Sequence, residues 1–337
     1  MELANSTNLE NARIDDDSLD LLITAFKLYE IAKLDNNVYR KDEDLKIIRH
    51  LIKLYYKLVD PNYNNMIYNF RRRYVSNELL VEKNDSQAER RGLNLVYDFI
   101  QNFDIDHDDF NIFVTSLQIH SLLYKPVDEL VASKVEAARN EAREILAAGK
   151  AEARKKRDFS IFSQAQKEAE NLINRTKGEI FGGQLRNGTV VMHDFSVEVP
   201  DSKVARDIFN SYLGSEKKEE FERALHNPDI FSYINYAVNT TADLIGIQPF
   251  QDGNKRVFRS LLNLMFKERH LPPVYIKNKE RKAYHDALEK ALVTHDYSDL
   301  DGFYYYKICD SIYELDFLPF LDSIQRNTSE KKESIQL

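Results

Sequence analysis

The run ELVASKVEAARNEAREILAAGKAEARKKR, residues 129–157, leaves this chain little freedom in its choice of structure. It is made largely of Ala, Glu, Lys and Arg, which lose least on entering a helix. It is also too charged to be buried on all sides, so it predicts a long helix open to solvent. A second helical stretch, FSQAQKEAENLINR, follows a break at Asp158–Ser160. Residues 126–177 therefore read as an exposed helical hairpin, or as an arm for a partner. The rest of the chain shows the same economy. With 10 Gly and 8 Pro in 337 residues, turn-formers are few, which favours long helices joined by short connections. The expected fold class is mainly α.

Apolar residues recur at helical spacing in 17–60 (Leu19, Leu21, Leu22, Ala25, Phe26, Leu28 and Tyr29, then Ile47, Ile48, Leu51, Ile52, Leu54 and Tyr55), with Pro61 as the break. Further helices are expected at 87–100, 109–124, 201–214, 217–226, 229–246, 254–269, 278–294 and 300–316. The one β signal is 179–199, where Ile180, Phe181, Val190, Val191, Phe195, Val197 and Val199 flank Arg186-Asn187-Gly188. This reads as a hairpin turning at Asn-Gly. A lone hairpin in a helical protein must lie against something or serve as a binding edge.

A formal charge of −8 leaves no overall positive field, so nucleic acid is an unlikely partner. The runs Arg71-Arg72-Arg73 and Arg154–Arg157 read as solvated helix faces. Cys309 is the single cysteine and cannot form an intrachain disulfide, which suits a reducing cytoplasm. The first residues, MELANSTNLENARIDDD, lack the apolar core of a signal peptide. No apolar run approaches the ~18 residues of a membrane span.

The chemistry concentrates in QPFQDGNKRVFR, residues 248–259. Pro249 stops the preceding helix, and a new one begins near Asn254. Gly253 lets the backbone approach a ligand, and the fresh helix N-terminus offers unpaired N–H groups. Arg256 and Arg259 lie three apart and can face one point. With Lys255 beside them they suit a polyphosphate, and Asp252 can hold Mg²⁺. A capped helix with surface arginines is the other reading of the same residues.

This loop resembles the signature of the Fic family, H-x-F-x-[D/E]-G-N-[G/K]-R-x-x-R, at every fixed position except the first. The helix with Leu117, His120 and Leu122 resembles the family's first core helix. Gly183-Gln184-Leu185-Arg186 with Val190-Val191 resembles its target-clamping flap, and Arg281…Tyr284…Ala287-Leu288…Ala291 resembles the helix beside the adenine. The resemblance implies a Fic-type helical bundle at 109–320 with one β-hairpin flap. The bundle carries the 126–177 insertion and is preceded by a helical region at 1–108. Residues 321–337, polar in composition, are expected to form a disordered tail. It further implies ATP and Mg²⁺ as cofactors and transfer of AMP to, or its removal from, a protein hydroxyl. Asp252 would hold the metal, and Gly253, Asn254 and Lys255 would line the anion hole. Arg256 would bind the β-phosphate, Arg259 the γ-phosphate, and Tyr284 and His285 the adenine. Family members often carry Asn where Leu292 stands.

The departure is Gln248, where the family places its general-base histidine. A carboxamide has no useful basicity, and loss of a general base typically costs ~10²–10⁴-fold. With Asn254 and Arg256 as the other catalytic candidates, ordinary AMP transfer is expected to be impaired. His193 on the flap is the one histidine considered as a substitute. The alternative is a nucleotide-binding pseudoenzyme that holds a partner. The family's inhibitory pattern [S/T]-x-x-x-E-[G/N] has two candidates. One is Ser6–Asn11 with Glu10; the other is the stretch 74–84, in which Glu82 would face Arg259. The expected partners are nucleotide, a protein target on 179–199 and a second copy of the chain.

Overall fold

The computed structural model describes residues 7–33, 42–59, 63–83, 86–104, 110–176, 181–192 and 195–324. The fold is mainly α, and most of the expected helices are present. They comprise α1 (Asn8–Asn11), α2 (Asp16–Lys33), α3 (Asp42–Leu58), α4 (Tyr63–Val81) and α5 (Gln87–Asn102). The long α6 (Ile112–Lys156) is followed by α7 (Phe159–Thr176), α8 (Ser202–Asn210), α9 (Ser215–Leu225), α10 (Ile230–Ile247) and α11 (Asn254–Glu268). The last are α12 (Arg281–Thr294) and α13 (Ser298–Ile312), which passes into a π turn at Tyr313–Phe317. No helix among the described residues is long and apolar enough to cross a membrane.

α11 lies at the centre, and Val257, Phe258, Leu261, Leu264, Met265 and Phe266 have no exposed surface. It packs against α10, α6 and α5. Such all-round burial of a helix that starts Asn-Lys-Arg forces its first polar side chains to find partners inside the protein.

Three local readings are corrected. Helix α4 begins earlier than expected: Pro61 read as the end of the helical region and only a possible inhibitory helix near 76–84 was expected, yet a helix restarts at Tyr63 and buries Met66, Phe70, Tyr74 and Leu79. Pro126 does not separate 109–124 from the 126–177 stretch, because α6 runs through it. Proline removes one backbone bond there, a cost on the order of 3 kcal/mol, and the helix holds because Leu123, Tyr124 and Pro126 are buried against its neighbours. Beyond that point α6 and α7 pair along small residues. Ala138, Ala142 and Gly149 on one helix and Ala165 and Ala169 on the other are buried. A Cβ at Gly149 would lie 2.4 Å from that of Ala165.

The third correction concerns the hairpin. Among the described residues 181–192 and 195–200 there is no strand ladder, only an antiparallel bridge between Leu185 and Phe250. Backbone groups that a hairpin would pair across its own strands are taken elsewhere. Arg186 N donates to Pro249 O at 3.0 Å. The Arg186 side chain, 2% exposed, donates to the carbonyls of Gln248 (2.5 Å), Gly188 (2.9 Å) and Pro200 (2.5 Å). The segment is a strap tied to the Gln248–Phe250 turn. Of the tail expected from 321, residues 321–324 are helical and the remainder lies outside the described residues.

α5 crosses α6 at backbone contact, since a Cβ on Gly92 would sit 1.9 Å from Leu123 O. Gly92→Ala must push the helices apart, with an expected loss of about 2–3 kcal/mol. Urea denaturation of the variant checks this, and an unchanged midpoint would show that the crossing yields freely.

Candidate functional site

α10 ends on Gln248, whose backbone is left-handed at φ 48°. Its side chain turns inward and is only 6% exposed. Nε2 donates to Ile245 O at 2.6 Å, and Oε1 accepts from Asn254 Nδ2 at 3.0 Å. Asn254 in turn clips the loop shut: Nδ2 also donates to Phe250 O (2.8 Å), and Oδ1 accepts from Phe250 N (2.9 Å). In this arrangement the two residues fix the Gln248–Asn254 turn.

Gly253 starts α11 at φ 79°, where a side chain is strained, and a Cβ would meet the Tyr124 ring at 2.8 Å. The adjoining Asp252 carboxylate is 64% exposed. It accepts from Tyr124 Oη at 2.6 Å and from Gly253 N at 2.6 Å.

His120 on α6 stacks flat on Phe250, with centroids 4.0 Å apart and planes at 8°. Its Nδ1 accepts from Gly183 N at 3.0 Å, which leaves the proton on Nε2 to donate to Asp252 O at 3.1 Å. Burial pushes its pKa down to about 4, so the ring is neutral at pH 7. Asp128, two turns on, accepts from the N–H groups of Phe181 and Gly182 at 3.0 and 2.9 Å. α6 thus hangs the strap and steadies the loop together.

The two arginines are the centre of the site. Arg256 and Arg259 are each 4% exposed. Arg256 Nη1 donates to Glu89 at 2.7 Å, while Nη2 donates to Tyr124 Oη at 3.0 Å and reaches Asp252 at 3.4 Å. Glu89 stands on the first turn of α5, where Ser86 caps the helix by accepting from Glu89 N (3.1 Å) and donates its hydroxyl to the Glu89 carboxylate (3.1 Å). Arg259 meets two carboxylates. Glu78 on α4 accepts from Nε at 3.0 Å and from Nη2 at 2.6 Å, and Glu82 accepts from Nη2 at 2.5 Å. Burial lifts the pKa of Glu78 against the pull of Arg259. Glu82 also feels burial, but Arg259 and Lys255 outweigh it and hold its carboxyl at about 2. Burial opposes the charge on Arg256 and Arg259 too; Tyr124, Asp252 and Glu89 overcome it at Arg256, and Glu78 and Glu82 at Arg259.

Of the expected residues, Gln248, Asp252, Gly253, Asn254, Lys255, Arg256 and Arg259 are brought together, and Glu82 does meet Arg259. Tyr284 is 1% exposed, with the Arg259 guanidinium 5.7 Å above its ring. His285 packs on Phe195 of the strap, centroids 5.0 Å apart. α1 is held away on the π turn, where Asn8 N donates to Asp316 at 2.6 Å; the Glu10 side chain lies outside the described residues, as does His193.

Glu78, Glu89, Tyr124 and Arg186 were not anticipated. Two signals for them existed: Ser86-x-x-Glu89 is a capping-box spacing, and Glu78 and Glu82 share a helix face at i, i+4. For Tyr124 and Arg186, local pattern offers none.

A triphosphate and a divalent cation fit these residues in kind. Asp252 is an exposed carboxylate at a helix N-terminus, with a lysine and two arginines following. They do not fit in the present arrangement, because Glu78, Glu82 and Glu89 occupy the guanidinium groups.

No protein-family model matches the chain. It is similar to protein adenylyltransferase Fic of Aedes aegypti, 32% identical over 113 residues, which is 33% of this chain and 21% of that protein. Protein adenylyltransferase Fic of Nematostella vectensis is 30% identical over 110 residues, 32% of this chain and 23% of that one. The protein of the same name from Culex quinquefasciatus is 38% identical over 111 residues, 33% of this chain and 20% of that one. The chain therefore aligns with only about a fifth of the length of these curated relatives. Among solved structures, Fic-1 of C. elegans (residues 134–508) has a TM-score of 0.48 at 16% identity, covering 89% of this chain and 76% of that one. A Fic domain containing signaling protein of Bacteroides thetaiotaomicron has a TM-score of 0.43 at 14% identity, covering 79% and 93%.

Proposed function

We propose that this chain is a Fic-family protein of the adenylyl-transferring kind, seen here closed, with its own carboxylates in the place of a nucleotide's phosphates. One observation carries this reading. Arg256 and Arg259 sit buried at the start of α11, and both face glutamates contributed by α4 and α5. Carboxylates and phosphates present similar paired oxygens to a guanidinium, so one can hold the place of the other. When α4 withdraws, Arg259 is free for a terminal phosphate, and Arg256 follows when Glu89 leaves. Lys255 and the N–H groups of the first α11 turn take the inner phosphates. Glu82 is then a regulatory residue, joined by Glu78. Asp252 would hold Mg²⁺, whose contribution is to neutralise phosphate charge. Tyr284 and His285 lie on the side proposed for the adenine. The 181–200 strap is the site for a protein target, and the hydroxyl that gains or loses AMP belongs to that target.

Gln248 makes ordinary transfer slow, since no carboxamide takes up the hydroxyl proton. The pseudoenzyme reading is favoured by one further detail. The nearby imidazole, His120, has its sole lone pair occupied by Gly183 N–H and cannot substitute as base.

Calorimetry with ATP and Mg²⁺ tests the proposal. Glu78→Gln/Glu82→Gln keeps the side-chain volumes and drops both charges. It is expected to bind at least about tenfold more tightly than the native chain, the shift that follows from opening a site populated in a minority of molecules. Absence of binding by both proteins would overturn the nucleotide reading.

A further inference from the structure

The distal part of α6 and the whole of α7 take no part in the nucleotide site. Beyond Pro126 the buried residues of α6 are Ala138, Ala142 and Gly149, and α7 buries Ala165 and Ala169. The two helices pack on each other and form an arm. At the ~1.5 Å rise of an α-helix, the run from Pro126 to Lys156 carries the tip about 45 Å along α6 from Pro126.

The tip differs in charge from the rest of the chain. Residues 150–167 carry six cationic side chains and two carboxylates, in a chain of formal charge −8. Both carboxylates are engaged: Glu152 pairs with Lys156 at 2.6 Å, and Asp158 accepts from Ser160 N at 2.9 Å. Arg154, Lys155 and Lys156 are consecutive and exposed. Successive side chains on a helix step by about 100°, so these three ring the axis and form no stripe. Arg157 ends the helix in a left-handed conformation at φ 51°. Phe159 follows at the turn and is 87% exposed, the most open large apolar side chain among the described residues. Beside it is a hollow of about 380 Å³, whose lining joins apolar Ala153, Phe159 and Phe162 to cationic Lys150, Arg154 and Arg157.

We propose that this tip docks end-on to an anionic lipid surface, with its cations on the headgroup phosphates and Phe159 in the interfacial layer. Shape selects the occupant. A nucleic acid that lies along a helix asks for cations on one face, as does an acidic peptide, whereas a ring of cations around a helix end suits a plane. An exposed aromatic within that ring suits a plane that is apolar beneath its charge. The length of the arm resolves the conflict of sign. An anionic surface repels a protein of charge −8, but that repulsion is screened within about 10 Å at 0.1 M salt. The arm is several times longer, so the basic tip can meet the surface while the acidic body stays out of range. The inference is independent of the nucleotide reading.

Co-sedimentation of the full chain with phosphatidylcholine vesicles, with and without roughly a third phosphatidylserine, is the test. The native chain is expected to bind the mixed vesicles and not the neutral ones, and to bind less as salt rises. Lys150→Gln/Arg154→Gln/Lys155→Gln, at three exposed positions, should weaken binding by at least about thirtyfold, since each cation near such a surface contributes about fivefold. Phe159→Ala should weaken it by about tenfold. The chain has no Trp, so Phe159→Trp places a single fluorescent reporter at the turn. Its emission should shift to the blue on mixed vesicles and be quenched by brominated lipid. Failure of the native chain to bind the mixed vesicles overturns the proposal. So does binding that ignores the loss of the three cations, or a bound protein whose reporter stays in water. Capture by polyglutamate or duplex DNA in preference to the vesicles also overturns it, and would assign the tip to an acidic macromolecule.

Discussion

Gln248→His, placed in the Glu78→Gln/Glu82→Gln background, is expected to raise AMP transfer from ATP to protein by about 10²–10⁴-fold over the background alone. The argument rests on what already surrounds position 248. Ile245 O accepts a hydrogen bond from Gln248 Nε2. The same carbonyl can take the Nδ1–H of an imidazole, which fixes the tautomer and turns the Nε2 lone pair outward. The backbone is left-handed there, a conformation histidine tolerates better than most residues. What the substitution removes is the Gln248–Asn254 bond, one of three holding the Asn254 side chain, so the loop keeps its Phe250 clip. Radiolabelled ATP with the protein and a cell lysate gives the readout. The order of effects matters more than their size. Gln248→His in the otherwise native chain should gain little, because Arg259 still belongs to Glu78 and Glu82. A large gain from that single change would mean the glutamates do not bar the site. No gain in the combined variant, with ATP binding shown separately, would leave the pseudoenzyme reading in possession.

That prediction draws on residues of very different legibility. The Gln248–Arg259 loop could be read directly, because a left-handed glycine, a helix start and two arginines three apart are all local features. So could the long α6 and α7, since Ala, Glu, Lys and Arg in such a run have few other uses. Glu82 against Arg259 came from a pattern alone, and its neighbour Glu78 was passed over. Which of two carboxylates one turn apart meets a distant guanidinium depends on how α4 crosses α11, and no periodicity encodes a crossing. The hairpin failed for a related reason. Apolar residues around Asn-Gly are a sound turn signal, but Arg186 found carbonyls at Gln248, Gly188 and Pro200, and a buried guanidinium with three such acceptors outweighs a short ladder. Only the end of α4, near 76–81, was expected; its first turns were missed because Pro61 was read as an end, although proline shortly before a helix is also an ordinary beginning.

His120 was legible only as one residue of a helix, yet its placement predicts how the fold responds to acid. It is 1% exposed, and its pKa in the fold is about 4, below the 6.5 of a free imidazole. The unfolded chain therefore takes up a proton at a pH where the folded one refuses it. Above about pH 6.5 both states are neutral and the group has no pH dependence. As the pH falls from there toward 4 the unfolded state is favoured progressively, to a total of about 3 kcal/mol. Below 4 the folded state accepts the proton as well, and no further loss comes from this residue. Glu82 acts in a separate and lower window, since its depressed pKa withdraws stability only as the pH falls below the ordinary carboxylate range toward 2. Glu78 works in the opposite sense, its raised pKa favouring the fold as acid protonates it. Urea midpoints taken from pH 7.5 to 4.5 on the native chain and on His120→Gln separate these terms. The variant starts less stable, having lost the stack on Phe250, but its curve should be the flatter of the two by about 2 kcal/mol over that range. Parallel curves would mean that His120 is not the residue that titrates. The consequence reaches the site as well. A protonated imidazole has no acceptor left for Gly183 N–H, so acid should loosen the strap from α6 before the helices themselves give way. Hydrogen exchange at Gly183 and Arg186, measured at pH 7 and pH 5 and divided by the intrinsic rate at each pH, should show that loosening as lower protection at pH 5 in the native chain and as protection that does not change with pH in His120→Gln.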